Sequence, residues 1–143
     1  MVINSVQGKI GLGLRTSYSA SKHALTGYFD SLRAELSVEG IPVTAIFPGY
    51  IRTNLSLNAL TGQGAKHGQI DATTAKGLDP HVLAVRVLGA AAAGKAEVVA
   101  APLDAKAAIF LRNLLPGLVF RILAGKVRKA LAADGSGGGS KED

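Results

Sequence analysis

Residues 18–49 read as a helix that hands over directly to a short apolar strand, and that succession constrains the fold more than any other stretch of the chain. From about Tyr18 to Val38, the residues Leu25, Tyr28, Phe29, Leu32 and Leu36 recur at spacings of three and four. This predicts a helix with one core stripe, while Lys22, Arg33, Glu35 and Glu39 decorate the rest. Gly40 is a suitable stop. Val43-Thr-Ala-Ile-Phe47, bounded by Pro42 and by Pro48-Gly49, then predicts a buried strand ending in a turn. A helix followed this closely by such a strand points to an α/β layer built on a parallel sheet.

The remaining stretches extend that pattern. Strands are expected near residues 2–4, 43–47 and 97–101, the first as the stub Val2-Ile3 and the last as Glu97-Val-Val-Ala-Ala101. Asp79-Pro80 is a helix start, because the aspartate can accept from free amide groups and proline at the first helical position loses no needed donor. That helix runs through Val82, Val85, Val87 and Leu88 to Gly94. Residues 54–78 hold four glycines and little periodicity, and read as a loop long enough to be a lid. The expected organisation is one unit over 1–103, a basic apolar helical extension over 104–131 interrupted at Pro116-Gly117, and a flexible tail over 132–143.

Composition excludes several chemistries. The chain has no cysteine, which removes disulfides, thiolate nucleophiles and cysteine-bound zinc, and His23, His67 and His81 lack ligand spacing, so no metal is expected. The net charge of +6 is concentrated at one end: residues 104–131 carry Lys106, Arg112, Arg121, Lys126, Arg128 and Lys129 against Asp104 alone. No stacking platform or motif ties this charge to nucleic acid. Asn4, Ser5, Gln7 and Lys9 follow Met1 in place of a basic start and an apolar run, so no secretory signal is read there. The most apolar segment, between Arg112 and Arg121, falls well short of the roughly 20 residues that cross a bilayer.

Chemistry is suggested by Ser5, Tyr18 and Lys22. Residues four apart on a helix share a face, so Tyr18 and Lys22 project side by side. A phenol is a poor acid-base catalyst at neutral pH, and a neighbouring ammonium favours its phenolate form. Such a pair suits proton transfer to or from an alcohol or carbonyl oxygen, with the Ser5 hydroxyl polarising the same oxygen. On spacing alone, the plainer reading is a helix-start tyrosine beside a solvated lysine. Pro48-Gly49 alone likewise reads as a plain turn.

Taken together and in order, Ser5, the glycine-punctuated loop, Tyr18-Ser-Ala-Ser-Lys22 (a YxxxK motif) and Pro48-Gly49-Tyr-Ile51-Arg-Thr53 resemble the catalytic half of the short-chain dehydrogenase/reductases. Ser-Val-Gln-Gly-Lys around Ser5, the stretch following Tyr18 and Leu111-Arg-Asn-Leu-Leu-Pro-Gly117 resemble in particular the member 7 branch of that family. The resemblance implies the carboxy-terminal part of a Rossmann-like, doubly wound parallel sheet. It implies an oxidoreductase that uses NADP or NAD, NADP slightly preferred, to interconvert a carbonyl and a secondary alcohol. Tyr18 would be the general acid in reduction and the base in oxidation, Lys22 would ease that exchange and hold the nicotinamide ribose, and Ser5 would hold the substrate oxygen. Pro48, Gly49, Ile51 and Thr53 would border the nicotinamide. The branch also implies association with the endoplasmic reticulum membrane.

The resembled family opens with a strand, a glycine-rich turn and a helix that receive the cofactor pyrophosphate. Gly8, Gly11 and Gly13 lie instead between Ser5 and Tyr18 and are not that fingerprint. The sequence is therefore expected to be a fragment or truncated form that exposes a sheet edge and apolar helix faces, is marginally stable and binds the cofactor weakly. The competing reading is a noncatalytic fragment that binds or dimerises through its long helix. Region 104–131 reads equally as a segment lying on an anionic membrane surface and as a pocket cover or dimer-contact helix.

Overall fold

The computed structural model describes residues 1–58, 64, 68 and 72–136. Three strands, β1 (Val2–Ile3), β2 (Ala45–Pro48) and β3 (Glu97–Ala100), form a parallel sheet in the order β1-β2-β3. Val2 pairs with Ala45, Ala45 with Glu97, and Pro48 with Ala100. Proline ends the strand because it has no amide to offer, and Gly49 N takes up the ladder by donating to Ala100 O at 3.0 Å. The helices are α1 (Thr16–Ser37), α2 (Leu55–Asn58), α3 (Ala72–Ala75), α4 (Pro80–Ala92), α5 (Leu103–Leu114) and α6 (Pro116–Ser136). The architecture is thus α/β, with parallel strands joined by helical crossovers.

The central strand carries the core. Every residue of β2 is buried, and Ile46 packs with Val87 and Ala90 of α4, flanked by Leu83 and Val98. Lys9 lies over the Phe47 ring, 4.4 Å from its centroid, and its ammonium continues to Glu97 at 2.5 Å. The strand at the edge is barer, with Ile3 48% exposed. Helix α4 forms for the reasons its sequence suggests. The Asp79 carboxylate accepts from His81 N at 2.8 Å, Pro80 occupies the first turn, and Gly94 at φ +60° reverses the chain so that Lys95 N reaches Ala90 O at 3.0 Å.

Helix α1 departs from expectation. It starts at Thr16 and ends at Ser37, with Gly40 at φ +71° closing the turn, but its one buried residue is Ser19. Of the expected core stripe, Leu25, Phe29, Leu32 and Leu36 are only half-buried and Tyr28 is 63% exposed. Polar bonds hold this helix in place. Arg33 donates from Nε to Val43 O at 3.0 Å and from Nη2 to Ala96 O at 2.9 Å, bolting α1 to the entrances of β2 and β3.

At the other end, α6 runs through Ser136, past the point where a tail was expected, because Ala130, Leu131, Ala132 and Ala133 are strong helix formers. The tail beyond Ser136 lies outside the described residues, as does most of the expected lid over 54–78, whose ends contain α2 and α3.

Concentration of the core on β2 makes stability unevenly sensitive to truncation. Ile46→Ala is expected to cost about 2–5 kcal/mol, whereas Val38→Ala, at a residue 86% exposed, stays within about 0.5 kcal/mol. Urea unfolding followed by circular dichroism measures both.

Candidate active site

The site begins where β1 ends. Asn4 N donates to Ile46 O at 2.8 Å, and the next residues fold into a single 3-10 turn, Val6–Gly8, capped by Ser5, whose Oγ accepts from Gln7 N at 3.2 Å. Ser5, Gln7 and Gly8 are all buried. Buried polar groups need partners, and these find them on α1. Ser19 Oγ donates to Gln7 Oε1 at 2.9 Å, and Asn4 Nδ2 donates to Lys22 O and Thr26 Oγ1, each at 3.0 Å. Thr26 Oγ1 lies 3.0 Å from Gly8 O and 3.1 Å from Lys22 O, within donating reach of either. Because Lys22 O can only accept, the Asn4 amide is fixed with its nitrogen toward the helix. Its Oδ1 is consequently buried without a hydrogen-bond partner among the described residues.

The contact is close enough to require glycine. A Cβ on Gly8 would lie 2.8 Å from Asn4 Nδ2, Lys22 O and Thr26 Oγ1 at once. Further along the same loop, a Cβ on Gly13 would collide with Val127 of α6, and Leu14 adopts a left-handed φ of 62°. The chain then enters α1, which carries Tyr18 and Lys22 one turn apart.

The opposite wall follows β2. Leu78 N donates to Tyr50 O and Arg52 N to Leu78 O, both at 2.9 Å, so residues 50–52 are pinned beside 77–79. A Cβ on Gly77 would lie 2.8 Å from three backbone atoms of residues 50–52, which makes that approach a glycine requirement too. Arg52 Nη2 meets Asp79 Oδ2 at 2.6 Å. This hydrogen bond foremost, and the His81 amide next, hold the Asp79 carboxyl below the ordinary carboxylate range. Thr53 Oγ1 accepts from Leu55 N at 3.4 Å at the start of α2.

Between these walls lies a cleft of about 360 Å³, within the size range of small-molecule pockets. Ser5, Tyr18, Pro48, Gly49, Ile51 and Thr53 all line it, although they come from three separate stretches of sequence. Lys22 is not among the lining residues. Its ammonium sits 5.4 Å from the centroid of the Tyr18 ring, on the same side of α1. Tyr18 is 44% exposed and Ser5 is buried, so a ligand can reach the phenol from solvent and meet the serine at the floor.

Other residues share the cleft that sequence reasoning did not single out: Asn4, Gln7, Arg15, Tyr50 and Thr74. Arg15 and Tyr50 face each other across it, guanidinium carbon 5.9 Å from ring centroid. Tyr50 sits inside the Pro48–Thr53 motif and could have been added from its position; nothing in the pattern marks Arg15, Gln7 or Thr74.

The family model for short chain dehydrogenases matches residues 1–64. A curated relative from Danio rerio, dehydrogenase/reductase SDR family member 7B, is 50% identical over 129 residues, which is 90% of this chain and 42% of the relative. The member 7-like protein of Drosophila melanogaster is 48% identical over 127 residues, 89% of this chain and 39% of that one. The chain is similar to the short-chain dehydrogenase/reductases over a portion of their length. A solved short-chain dehydrogenase from Streptomyces avermitilis shares the fold, with a TM-score of 0.51 and 24% identity over 93% of this chain and 50% of that structure. The present α/β unit is therefore a partial Rossmann-like fold, and the chain spans about two-fifths of the curated relatives it matches.

Two outcomes test the supports of the cleft. Gly8→Ala should destabilise the protein by about 1–3 kcal/mol, read in urea, because a backbone carbonyl is among the atoms that must move. For Asp79, a carboxyl held below its ordinary value contributes stability above the unfolded value, about 3.9, and loses it as pH falls through the folded value. The urea midpoint should fall with acidification below about pH 5, and Asp79→Asn should flatten that decline.

Proposed function

We propose that the cleft is the catalytic part of an NAD(P)-dependent oxidoreductase that interconverts a carbonyl and a secondary alcohol. The observation that carries the reading is the convergence of Ser5, Tyr18, Pro48, Gly49, Ile51 and Thr53 on one cavity. Tyr18 presents its hydroxyl from the first turns of α1 and transfers a proton to the carbonyl oxygen in reduction, taking it back in oxidation. The Lys22 ammonium stands 5.4 Å from the centre of that ring, one helical turn along the same side of α1. Ser5 holds the substrate oxygen from the floor of the cleft, where its burial keeps competing water away.

The donor set suits a nicotinamide. One wall is apolar, with Pro48 and Ile51, and the Gly49 backbone and Thr53 hydroxyl stand beside it for an amide edge. When bound, the nicotinamide supplies the hydride that reduction requires. Lys22 and Tyr18 would meet its ribose. NADP is preferred over NAD on the resemblance alone, and a place at the endoplasmic reticulum membrane belongs to the same reading.

A chain extended by the amino-terminal portion of a relative should consume NADPH when supplied with a carbonyl substrate. Tyr18→Phe should lower that rate by roughly 10²–10⁴-fold with unchanged circular dichroism, and retention of turnover in this variant overturns the proposal. The 143-residue chain by itself should bind NADPH only weakly in calorimetric titration.

A second reading, association through α1, is favoured by the bare face of that helix. Tyr28 packs edge-on against Phe29 with 5.1 Å between centroids and remains exposed above a shallow groove formed with Leu32 and Glu35. Tyr18→Phe leaves self-association intact under this reading, because Tyr18 lies outside the groove.

A further inference from the structure

Helices α5 and α6 pack on each other and meet at Leu115-Pro116. The inward residues of α5 are Ala105, Ala108, Ile109 and Arg112. Its outward row, Leu103, Ala107, Phe110 and Leu114 at spacings of four and three, is apolar and faces solvent, with Phe110 65% and Leu114 60% exposed. In α6, Val119, Leu123 and Val127 turn inward while Leu118, Phe120 and Ile122 remain exposed. Bare leucines, isoleucine and phenylalanines therefore gather around the corner of the hairpin, where a soluble surface ordinarily avoids contiguous apolar area.

The same stretch is strongly basic. Lys106, Arg121, Lys126, Arg128 and Lys129 are exposed on the same two helices, and Asp104 is the single acid in the stretch 104–131. Among the described residues, none of Lys106, Lys126, Arg128 and Lys129 has an ion-pair partner. A second copy docking through the same helices would set this positive charge against itself, which electrostatics opposes. Leucines and phenylalanines at the centre of the patch have no counterpart on a nucleic-acid backbone. An apolar corner on two helices that also carry exposed, unpaired cations matches an anionic phospholipid surface, with the side chains entering the acyl boundary and the cations meeting headgroups. Among the described residues no helix is long and apolar enough to cross a membrane, so the contact is one of lying on the surface.

We propose that the α5–α6 hairpin seats this protein on anionic membranes, its apolar corner inserted and the exposed cations of both helices on the headgroups. This surface is separate from the cleft, so the two proposals fail independently.

Vesicle co-sedimentation of the full chain tests it, comparing phosphatidylcholine alone with phosphatidylcholine mixed with phosphatidylserine. Binding is expected on the mixed vesicles at low salt, much reduced at high salt and on the neutral lipid. Lys126→Gln with Lys129→Gln should weaken it about twenty-five-fold, at roughly fivefold per lysine near the surface. Leu114→Ser with Leu118→Ser should abolish it. All four side chains are exposed, and circular dichroism checks that the helices persist. The chain contains no tryptophan, so Phe110→Trp is a unique reporter whose emission should shift to the blue only with anionic vesicles. No binding, equal binding to neutral lipid, or a self-association that the leucine variants abolish in place of lipid binding overturns the proposal.

Discussion

The turn at residues 6–8 lies against α1 with no room for a methyl group, and the cleft exists because of that contact. The sheet fixes Asn4 by its backbone and the helix carries Tyr18, but neither places the Ser5 hydroxyl on the tyrosine's side. That is done by three hydrogen bonds from Asn4 and Ser19 across the interface, and by the glycine that lets the backbones approach. Because these groups are buried, each bond broken would leave a polar atom desolvated, at about 1–3 kcal/mol. The turn and the helix therefore behave as one rigid piece, with Ser5 and Tyr18 on it set relative to each other.

A second clamp mirrors the first across the cleft. Gly77 admits the backbone of residues 50–52, and the paired bonds of Tyr50 and Arg52 with Leu78 hold it there. Both walls of the site thus depend on glycines chosen for proximity, while the apolar core around Ile46 supplies the cohesion behind them. Arg33 performs the corresponding task at the far end of α1, gripping two strand entrances with one planar side chain. Polar contacts orient the elements here to a degree that a small core could not achieve alone.

The elements that were legible in the sequence are those with a local signature. β2 announced itself by an apolar run between prolines, α4 by Asp79-Pro80 and Gly94, and the break between α5 and α6 by Pro116. The parallel α/β arrangement followed from their order, and the cleft-lining residues from a motif spread over three stretches. The apolar periodicity of α1 was real, yet periodicity reports only which residues share a face and is silent on whether anything covers it. The clamp was illegible for a different reason. Asn4, Gln7 and Ser19 are ordinary surface residue types, and their burial, like the half-burial of Thr26, arises from tertiary proximity that no spacing encodes. Helix α6 outran its expected end because Ala130–Ala133 propagate a helix more strongly than the following glycine-rich sequence was expected to stop it.

Val127 of α6 fills the space above Gly13, in the loop that leads from Ser5 to Tyr18, and the next residue, Leu14, is held in a left-handed turn. The helix that carries Lys126, Arg128 and Lys129 is therefore also the roof of the loop that carries Leu12 and Arg15 to the cleft. A force that tilts or lifts α6 is transmitted by direct contact to that loop, at the residue with the least conformational latitude. The exposed face of the α5–α6 hairpin and the rim of the cleft share a single mechanical part.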